Sequence, residues 1–527
     1  MKLYASHRNP VYAKNGMAAT SEPQASHVGL DILKQGGNAI DAAIAMAACL
    51  TVTEPTSNGI GGDNFAIVYF NDELHGMNSS GFCPKKLSLK DLNGSEIPRF
   101  GVVPITVPGA VNGWVSLHKK FGKLDFYDVL KPAINYARHG FVVGETVAKY
   151  WKIAHQIYEK TLVDPVYKPW FDTFTRDGKI PTKGDIWTLP DHADTLEKIA
   201  LSYGSSFYEG ELADQIEHYI SLHHGFLSKD DLKSFQTDWV TPIKTNYRGV
   251  DVYEIPPNGQ GLVALMGLNI LENFSFNQKE SIKTYHHQLE ATKLAFADGH
   301  AFISDEHSMP YKSSVLLSKA YAKERSRLIK KDAMTPLSGT PQSSGTVYLA
   351  TADHEGNMVS MIQSNYMGFG SGIVIPHTGI ALHNRGHNFS IDPQSPNVLA
   401  PLKRPFHTII PGFMIKEDEY MGPFGVMGGF MQPQGHIQVM MNLVDFKLNP
   451  QQALDAPRWQ WMKDKFITVE PDFNKRILKS LINRGHDVAI DHNLGSFGRG
   501  QIILYDIHKH SYIGGTEKRC DGTISSY

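Results

Sequence analysis

Residues 36–53 constrain this chain more than any other stretch. Gly36-Gly37-Asn38-Ala39-Ile40-Asp41 opens an alanine-rich segment that runs to Val52, stops before Glu54-Pro55 and carries no charge after Asp41. Small residues at that density let neighbours approach closely, which predicts a buried helix with Asn38 as its N-cap. Its most apolar part, residues 42–52, is well short of the roughly 20 residues that span a bilayer. Ser57-Asn58-Gly59-Ile60-Gly61-Gly62-Asp63 then forms a glycine loop, and Asn64-Phe65-Ala66-Ile67-Val68-Tyr69-Phe70 reads as a strand. A glycine loop ahead of a strand, rather than between a strand and a helix, is neither a dinucleotide fingerprint nor a P-loop. A tight turn or close backbone packing is the expectation there.

A helix buried in this way needs a large core around it. The chain has 527 residues and is 41% hydrophobic, 10% aromatic and 20% charged, a composition outside the disordered range. Length alone suggests three or four domains of about 150 residues each. With 51 Lys+Arg against 53 Asp+Glu, the chain is no generically basic binder of nucleic acid or acidic membranes, so neither is expected as a partner. Three cysteines (Cys49, Cys83, Cys520) form no Cys-x-x-Cys pair and are too few to staple a secreted chain. Residues 1–10 show no apolar h-region. The expectation is a soluble cytoplasmic protein.

Residues 117–231 and 283–303 read mostly as helices, and no internal repeat is visible. Residues 332–345 are a polar Pro/Gly/Ser stretch that ends abruptly at Thr346. Thr346-Val347-Tyr348-Leu349-Ala350-Thr351-Ala352 then reads as a strand, Asp353-His354-Glu355-Gly356-Asn357 as a turn and Met358-Val359-Ser360-Met361-Ile362 as the returning strand. A hydroxyl residue therefore opens a buried hairpin directly after a disposable linker. Cleavage of the Gly345-Thr346 bond would give Thr346 a free α-amino group, whose ordinary pKa of about 7.7–8.0 suits a base for the neighbouring hydroxyl. Gly345 leaves that hydroxyl room to reach the preceding carbonyl, so the chain could cut itself. Downstream, Gly428-Gly429 can present consecutive N–H groups to an oxyanion. Each of these signals, alone, is more often plain turn structure.

Together with motifs along the whole chain they acquire a specific meaning. Gly36-Gly37-Asn38-Ala39-Ile40-Asp41-Ala42-Ala43, Glu54-Pro55, Gly59-Ile60-Gly61-Gly62, Val107-Pro108-Gly109, Pro256-Pro257-Asn258-Gly259-Gln260-Gly261, residues 346–353, Phe369-Gly370-Ser371-Gly372-Ile373, Arg404-Pro405, Gly428-Gly429 and Ala456-Pro457-Arg458 follow in one order. In that order the chain resembles the γ-glutamyltranspeptidase family. The resemblance implies an α/β fold, a four-layer αββα sandwich of the N-terminal-nucleophile type, forming one domain over residues 1–527. It implies a proenzyme cut at Gly345-Thr346 into a large chain (1–345) and a small chain (346–527) that stay together as a heterodimer, with further dimerisation left open. Thr346 would be the nucleophile of both self-cleavage and an acyl-enzyme, acting on a small-molecule amide, either γ-glutamyl or a related carboxylate-bearing acyl amide, with an oxamate-type or glutaryl-type amidohydrolase without γ-glutamyl activity as an alternative. Ser364, eighteen residues on, matches a supporting hydroxyl, and Gly428 and Gly429 match the oxyanion pair.

The departures from the family pattern fall on the acyl site. Ser80 stands where glutamate-binding members have an Arg, Asn388 where they have an Asp, His407-Thr408 where they have a Ser pair, and Tyr366 where they have an Asn. Residues 390–405 form a shorter loop than in members with a long lid, which implies a more open site. Arg385, in His383-Asn384-Arg385-Gly386-His387-Asn388, brings a planar cation suited to a carboxylate. The expected acyl donor therefore carries a carboxylate and lacks the amino group of a γ-glutamyl unit, as in oxamate-amidohydrolase-like or acylase-like branches. The 24 histidines include two adjacent pairs but no His-Glu-x-x-His. The reading accordingly includes no metal and no cofactor. An unprocessed, non-catalytic scaffold is the alternative.

Overall fold

The computed structural model describes residues 8–336 and 346–527. Two seven-stranded sheets form its centre. In the first, Thr523–Ser526, Met17–Thr20, Val347–Ala352, Met358–Ser364, Asp63–Phe70, Glu73–Ser79 and Asp238–Val240 lie side by side in that order. In the second the order is Val11–Ala13, Ser511–Thr516, Arg499–Asp506, Tyr420–Met427, Gly412–Lys416, Val250–Glu254 and Ile243–Tyr247. Strands from the two ends of the chain are neighbours: Thr523–Ser526 pairs with Met17–Thr20. The arrangement is an interleaved one rather than the string of modules that length alone suggests.

Side-chain alternation along each strand fixes the layers. Tyr348, Ala350, Ala352, Met358, Ile362, Phe65 and Ile67 point toward the second sheet and meet Phe413, Met427, Ile503 and Tyr512 in a common apolar layer. The alternate residues Val347, Leu349, Val359, Met361, Ala66 and Val68 face outward into a helical layer that includes Ala39–Thr53, Ala110–Phe121 and Phe126–His139. Gly261–Leu271, Ile282–Phe302 and Met431–Val444 cover the outer face of the second sheet. This is the αββα sandwich. A strand covered on both faces has no wetted side: all six residues of Val347–Ala352 are buried, and the Thr351 hydroxyl is satisfied by donating to the Ala39 carbonyl at 2.7 Å.

The alanine-rich segment is the helix Ala39–Thr53, buried on every side. Asn38 caps it: its side chain accepts from the Ile40 and Asp41 N–H groups at 3.0 and 2.9 Å, and Asp41 accepts from the Asn38 N–H at 3.2 Å. The hairpin closes through Asp353, whose Oδ1 accepts from the Glu355 and Asn357 N–H groups, with Gly356 at φ +86°. No helix among the described residues is long and apolar enough to cross a membrane.

Candidate active site

Antiparallel register brings three side chains into a row at one end of the first sheet. Val347 pairs with Gln363, which sets Thr346 opposite Ser364, and Ser364 pairs with Asp63 on the next strand. Each of the three stands an even number of steps from inward-pointing residues, so all face the gap between the sheets. Thr346 Oγ1 lies 3.1 Å from Ser364 Oγ. Gly345 lies outside the described residues.

Tyr366 continues the construction from Ser364. Its N–H donates to Ser364 Oγ at 2.8 Å, and its backbone holds φ +72°, a left-handed conformation uncommon for an aromatic residue. That turn carries the phenol back over the site, where its hydroxyl donates to Asn388 Oδ1 at 2.6 Å. Asn388 is fixed in turn by donating to the Phe406 carbonyl at 2.9 Å. Burial pushes the Tyr366 phenol up to about 12 despite the nearby Arg385, so it stays a donor at neutral pH.

Arg385 opens a short 3-10 turn, Arg385–Asn388, and has no exposed surface. Its guanidinium lies 4.4 Å above the Tyr366 ring, and Nη1 donates to Thr408 Oγ1 at 2.8 Å. Nε and Nη2 have no hydrogen-bond partner among the described residues. Burial pulls this group down to about 10, with Asp63 and Tyr366 acting the other way, so it remains a cation at neutral pH. Behind it, Asp63 Oδ2 lies 3.0 Å from His407 Nε2, 3.1 Å from His383 Nδ1 and 3.8 Å from Arg385 Nε. Burial alone would raise the Asp63 carboxyl, but His383 and His407 outweigh it and hold it far below the usual carboxylate range. Burial, helped by Arg385, pushes His407 down to about 3 against the pull of Asp63, so this imidazole is neutral.

The remaining expected residues join the same constellation through intermediaries. Ser80 donates to Asn78 Oδ1 at 2.7 Å and accepts from Asn258 Nδ2 at 3.2 Å, while the Asn258 carbonyl accepts the His407 N–H at 2.8 Å. Gly428 and Gly429 follow the strand Tyr420–Met427 at φ +136° and +61°, a turn that glycine makes without penalty, and lead into the helix Met431–Val444. Gln260 ties them to the rest by donating to the carbonyls of Gly429 and Thr408 at 2.8 and 2.6 Å. Thr346, Ser364 and Arg385 are all fully buried, and the 390–405 loop folds back with Asn397 donating to the Asn388 carbonyl at 2.7 Å.

Sequence reasoning passed over Asp63, His383, Asn258 and Gln260. Asp63 was visible as the one charge closing a glycine loop, but its register opposite Ser364 was not. It also passed over His286, Glu290 and His486, whose ligand atoms lie within 4.8 Å of one another. The adjacent His286-His287 pair does not converge on this cluster; His286 meets a histidine 200 residues away, at 3.0 Å. A cation there would compete with the buried Lys293 ammonium, 2.7 Å from Glu290 Oε1. The cluster instead clamps residues 330–334: the Lys330 carbonyl accepts from His286, and the Met334 N–H donates to Glu290.

The constellation brings together paired hydroxyls, a glycine turn across the gap and a buried cation, an arrangement suited to acyl transfer. Comparison with known proteins agrees. The family model described as Gamma-glutamyltranspeptidase matches residues 25–527. The chain is 36% identical over 512 residues to the glutathione hydrolase-like YwrD proenzyme of Bacillus subtilis (strain 168), covering 94% of this chain and 96% of that one. It is 31% identical over 530 residues to the oxamate amidohydrolase proenzyme of Klebsiella pneumoniae, covering 97% and 98%. Among solved structures, the cephalosporin acylase from Bacillus halodurans superposes with a TM-score of 0.97 at 55% identity, over 100% of this chain and 98% of that one. The chain belongs to the γ-glutamyltranspeptidase family and is an amidohydrolase/acyltransferase of the N-terminal-nucleophile type.

Proposed function

We propose that Thr346 is the nucleophile, that the chain matures by cutting its own Gly345-Thr346 bond, and that the mature enzyme hydrolyses small amides whose acyl group carries a carboxylate but no amino group. The observation that carries this reading is the Arg385 guanidinium, buried on Tyr366 beside the Thr346–Ser364 pair with Nη2 and Nε unbonded. A buried cation with unused donors favours an anionic partner. The position matched to the family's Asp is Asn388, already bonded to Tyr366, and the nearby Asp63 carboxylate is engaged by His407, His383 and Arg385 rather than left for a substrate ammonium.

In maturation the Thr346 hydroxyl oxygen attacks the Gly345 carbonyl carbon and the C–N bond breaks to give an ester. Water then hydrolyses the ester, leaving a carboxylate on Gly345 and a free amine on Thr346. In turnover that amine takes the hydroxyl proton as oxygen attacks the substrate carbonyl, and it returns the proton to the departing amine. N–H groups of Gly428 and Gly429 would take the oxyanion, and Ser364 would orient the attacking hydroxyl. Water completes the cycle by the same route. The large and small chains stay paired as a heterodimer. Cys49, Cys83 and Cys520 are all free buried thiols, which supports a reducing cytoplasmic setting.

Wild-type protein should run on a denaturing gel as two bands of roughly two-thirds and one-third of the chain, and Thr346→Ala as a single band. The processed enzyme should turn over monoamides of short dicarboxylic acids with kcat/KM at least about tenfold above that for a γ-glutamyl anilide. A persistent full-length band in wild type would overturn the nucleophile assignment. Equal or faster turnover of the anilide would overturn the substrate class.

A further inference from the structure

The buried charge behind Arg385 is not explained by the chemistry of Thr346, nor by any match to the family's motifs. Asp63 has no exposed surface, and its two oxygens do different things. Oδ1 accepts from the backbone N–H groups of Gly81 and Gly109 at 3.2 and 3.3 Å, which locks the carboxylate to the frame. Oδ2 faces the site and meets His407, His383 and Arg385. His407 is held as one tautomer: its Nδ1 accepts the Ile409 N–H at 3.3 Å, so Nε2 carries the proton that Oδ2 accepts.

A guanidinium this deeply buried is unfavourable without a counter-charge. Among the described residues Asp63 is the acidic group within ion-pair distance of it. The rest of its setting fixes only part of its freedom. Tyr366 sets the plane of the fork and Thr408 takes one N–H of Nη1. Neither prevents rotation within that plane, whereas a carboxylate at the Nε edge does. With Nε turned toward Asp63, Nη2 shares that edge through one N–H and presents its other N–H at the tip of the fork.

We infer that Asp63 is the positioning residue of the acyl-binding pocket, fixing the Nε edge of Arg385 and the ring of His407 so that Nη2 is left to take an oxygen of the substrate carboxylate. The inference rests on the reading of Arg385 given above. Asp63→Asn keeps an acceptor for Gly81 and Gly109, but its amide can place donors against the N–H groups of His407 and Arg385. Its processing and folding are checked by gel and circular dichroism.

KM for a dicarboxylic monoamide should rise at least about tenfold in Asp63→Asn while kcat stays within about threefold of wild type. Because Asp63 acts through Arg385, adding Asp63→Asn to Arg385→Met should raise KM no further. If Arg385→Met leaves KM unchanged, the carboxylate-site reading itself fails. If Arg385→Met raises KM and Asp63→Asn does not, or if the two effects simply add, the positioning role alone fails. Arg385→Lys keeps the test open should Asp63→Asn not fold: it keeps the cation but has no Nε edge for Asp63 to hold, so its KM should rise nearly as much as that of Arg385→Met, and a KM within about threefold of wild type overturns the inference.

Discussion

Tyr366 shows what a single residue contributes to this site. Its left-handed backbone costs about 1–3 kcal/mol yet lets one residue touch the Ser364 hydroxyl with its N–H, Arg385 with its ring and Asn388 with its phenol. The sequence marked Ser364, Tyr366 and Asn388 through the family resemblance and Arg385 through its own chemistry. It did not mark Asn365, whose side-chain amide is buried without a hydrogen-bond partner among the described residues, against a turn where β-carbons at Gly59 and Gly62 would fall 2.8 and 2.6 Å from it. A second residue-scale consequence concerns His192, 1% exposed and 3.2 Å from Thr51 Oγ1. Burial holds its ring down to about 4, against one raising contact from Gly379. The folded chain therefore refuses a proton that the unfolded chain binds below about pH 6.5, so stability is lost as pH falls from there toward 4. His192→Gln should remove roughly 2 kcal/mol of the stability difference between pH 8 and pH 5. Urea melts of both proteins at the two pH values measure it, and an unchanged difference would refute the neutral buried imidazole.

At the scale of elements, the helix Ala39–Thr53 was the most legible part of the chain, because its composition and its cap agree. Asn38 does three jobs: two acceptor bonds to the first helical turn and a donor bond from Nδ2 to the Phe121 carbonyl at 2.7 Å. Asn38→Ala should cost about 1–2 kcal/mol, read as a lower denaturation midpoint with an unchanged m-value. A loss under a few tenths would mean that burial alone sustains the helix. The hairpin at residues 347–364 was legible for the same reason, since its turn chemistry and its apolar strands point one way. The glycine turn at Gly428-Gly429 was legible as a turn. Its place across the gap, tied by Gln260 to Thr408, was not, because a hydrogen bond between residues 148 apart leaves no local pattern.

Over the whole molecule, ion pairs between distant parts of the chain are buried where layers meet. Arg499 Nη1 lies 2.7 Å from Glu54 Oε1 across 445 residues, and Ser21 donates to the other oxygen of Glu54. Removing one partner leaves a buried charge uncompensated. Arg499→Met should therefore destabilise by roughly 3–5 kcal/mol, and adding Glu54→Gln should recover part of that loss. Equal stability of the single and double variants would show that the pair is not electrostatically coupled. Strands from before and after Thr346 alternate within the first sheet, Met17–Thr20 beside Val347–Ala352 and Met358–Ser364 beside Asp63–Phe70. Each side of the chain completes a sheet that the other side cannot close alone.

What the sequence determined by itself was local or motif-borne: the buried helix and its cap, the hairpin, the hydroxyl at its start and the glycine turns. Each follows from neighbours along the chain or from short blocks in a fixed order. Only the tertiary structure decided which groups face Arg385. Asp63, His383 and the adjacent His407-Thr408 come from three separate segments, and their convergence depends on strand register and on two sheets closing over a buried gap. In that gap the low polarity makes the placement of one carboxylate count for more than the overall charge balance of the chain.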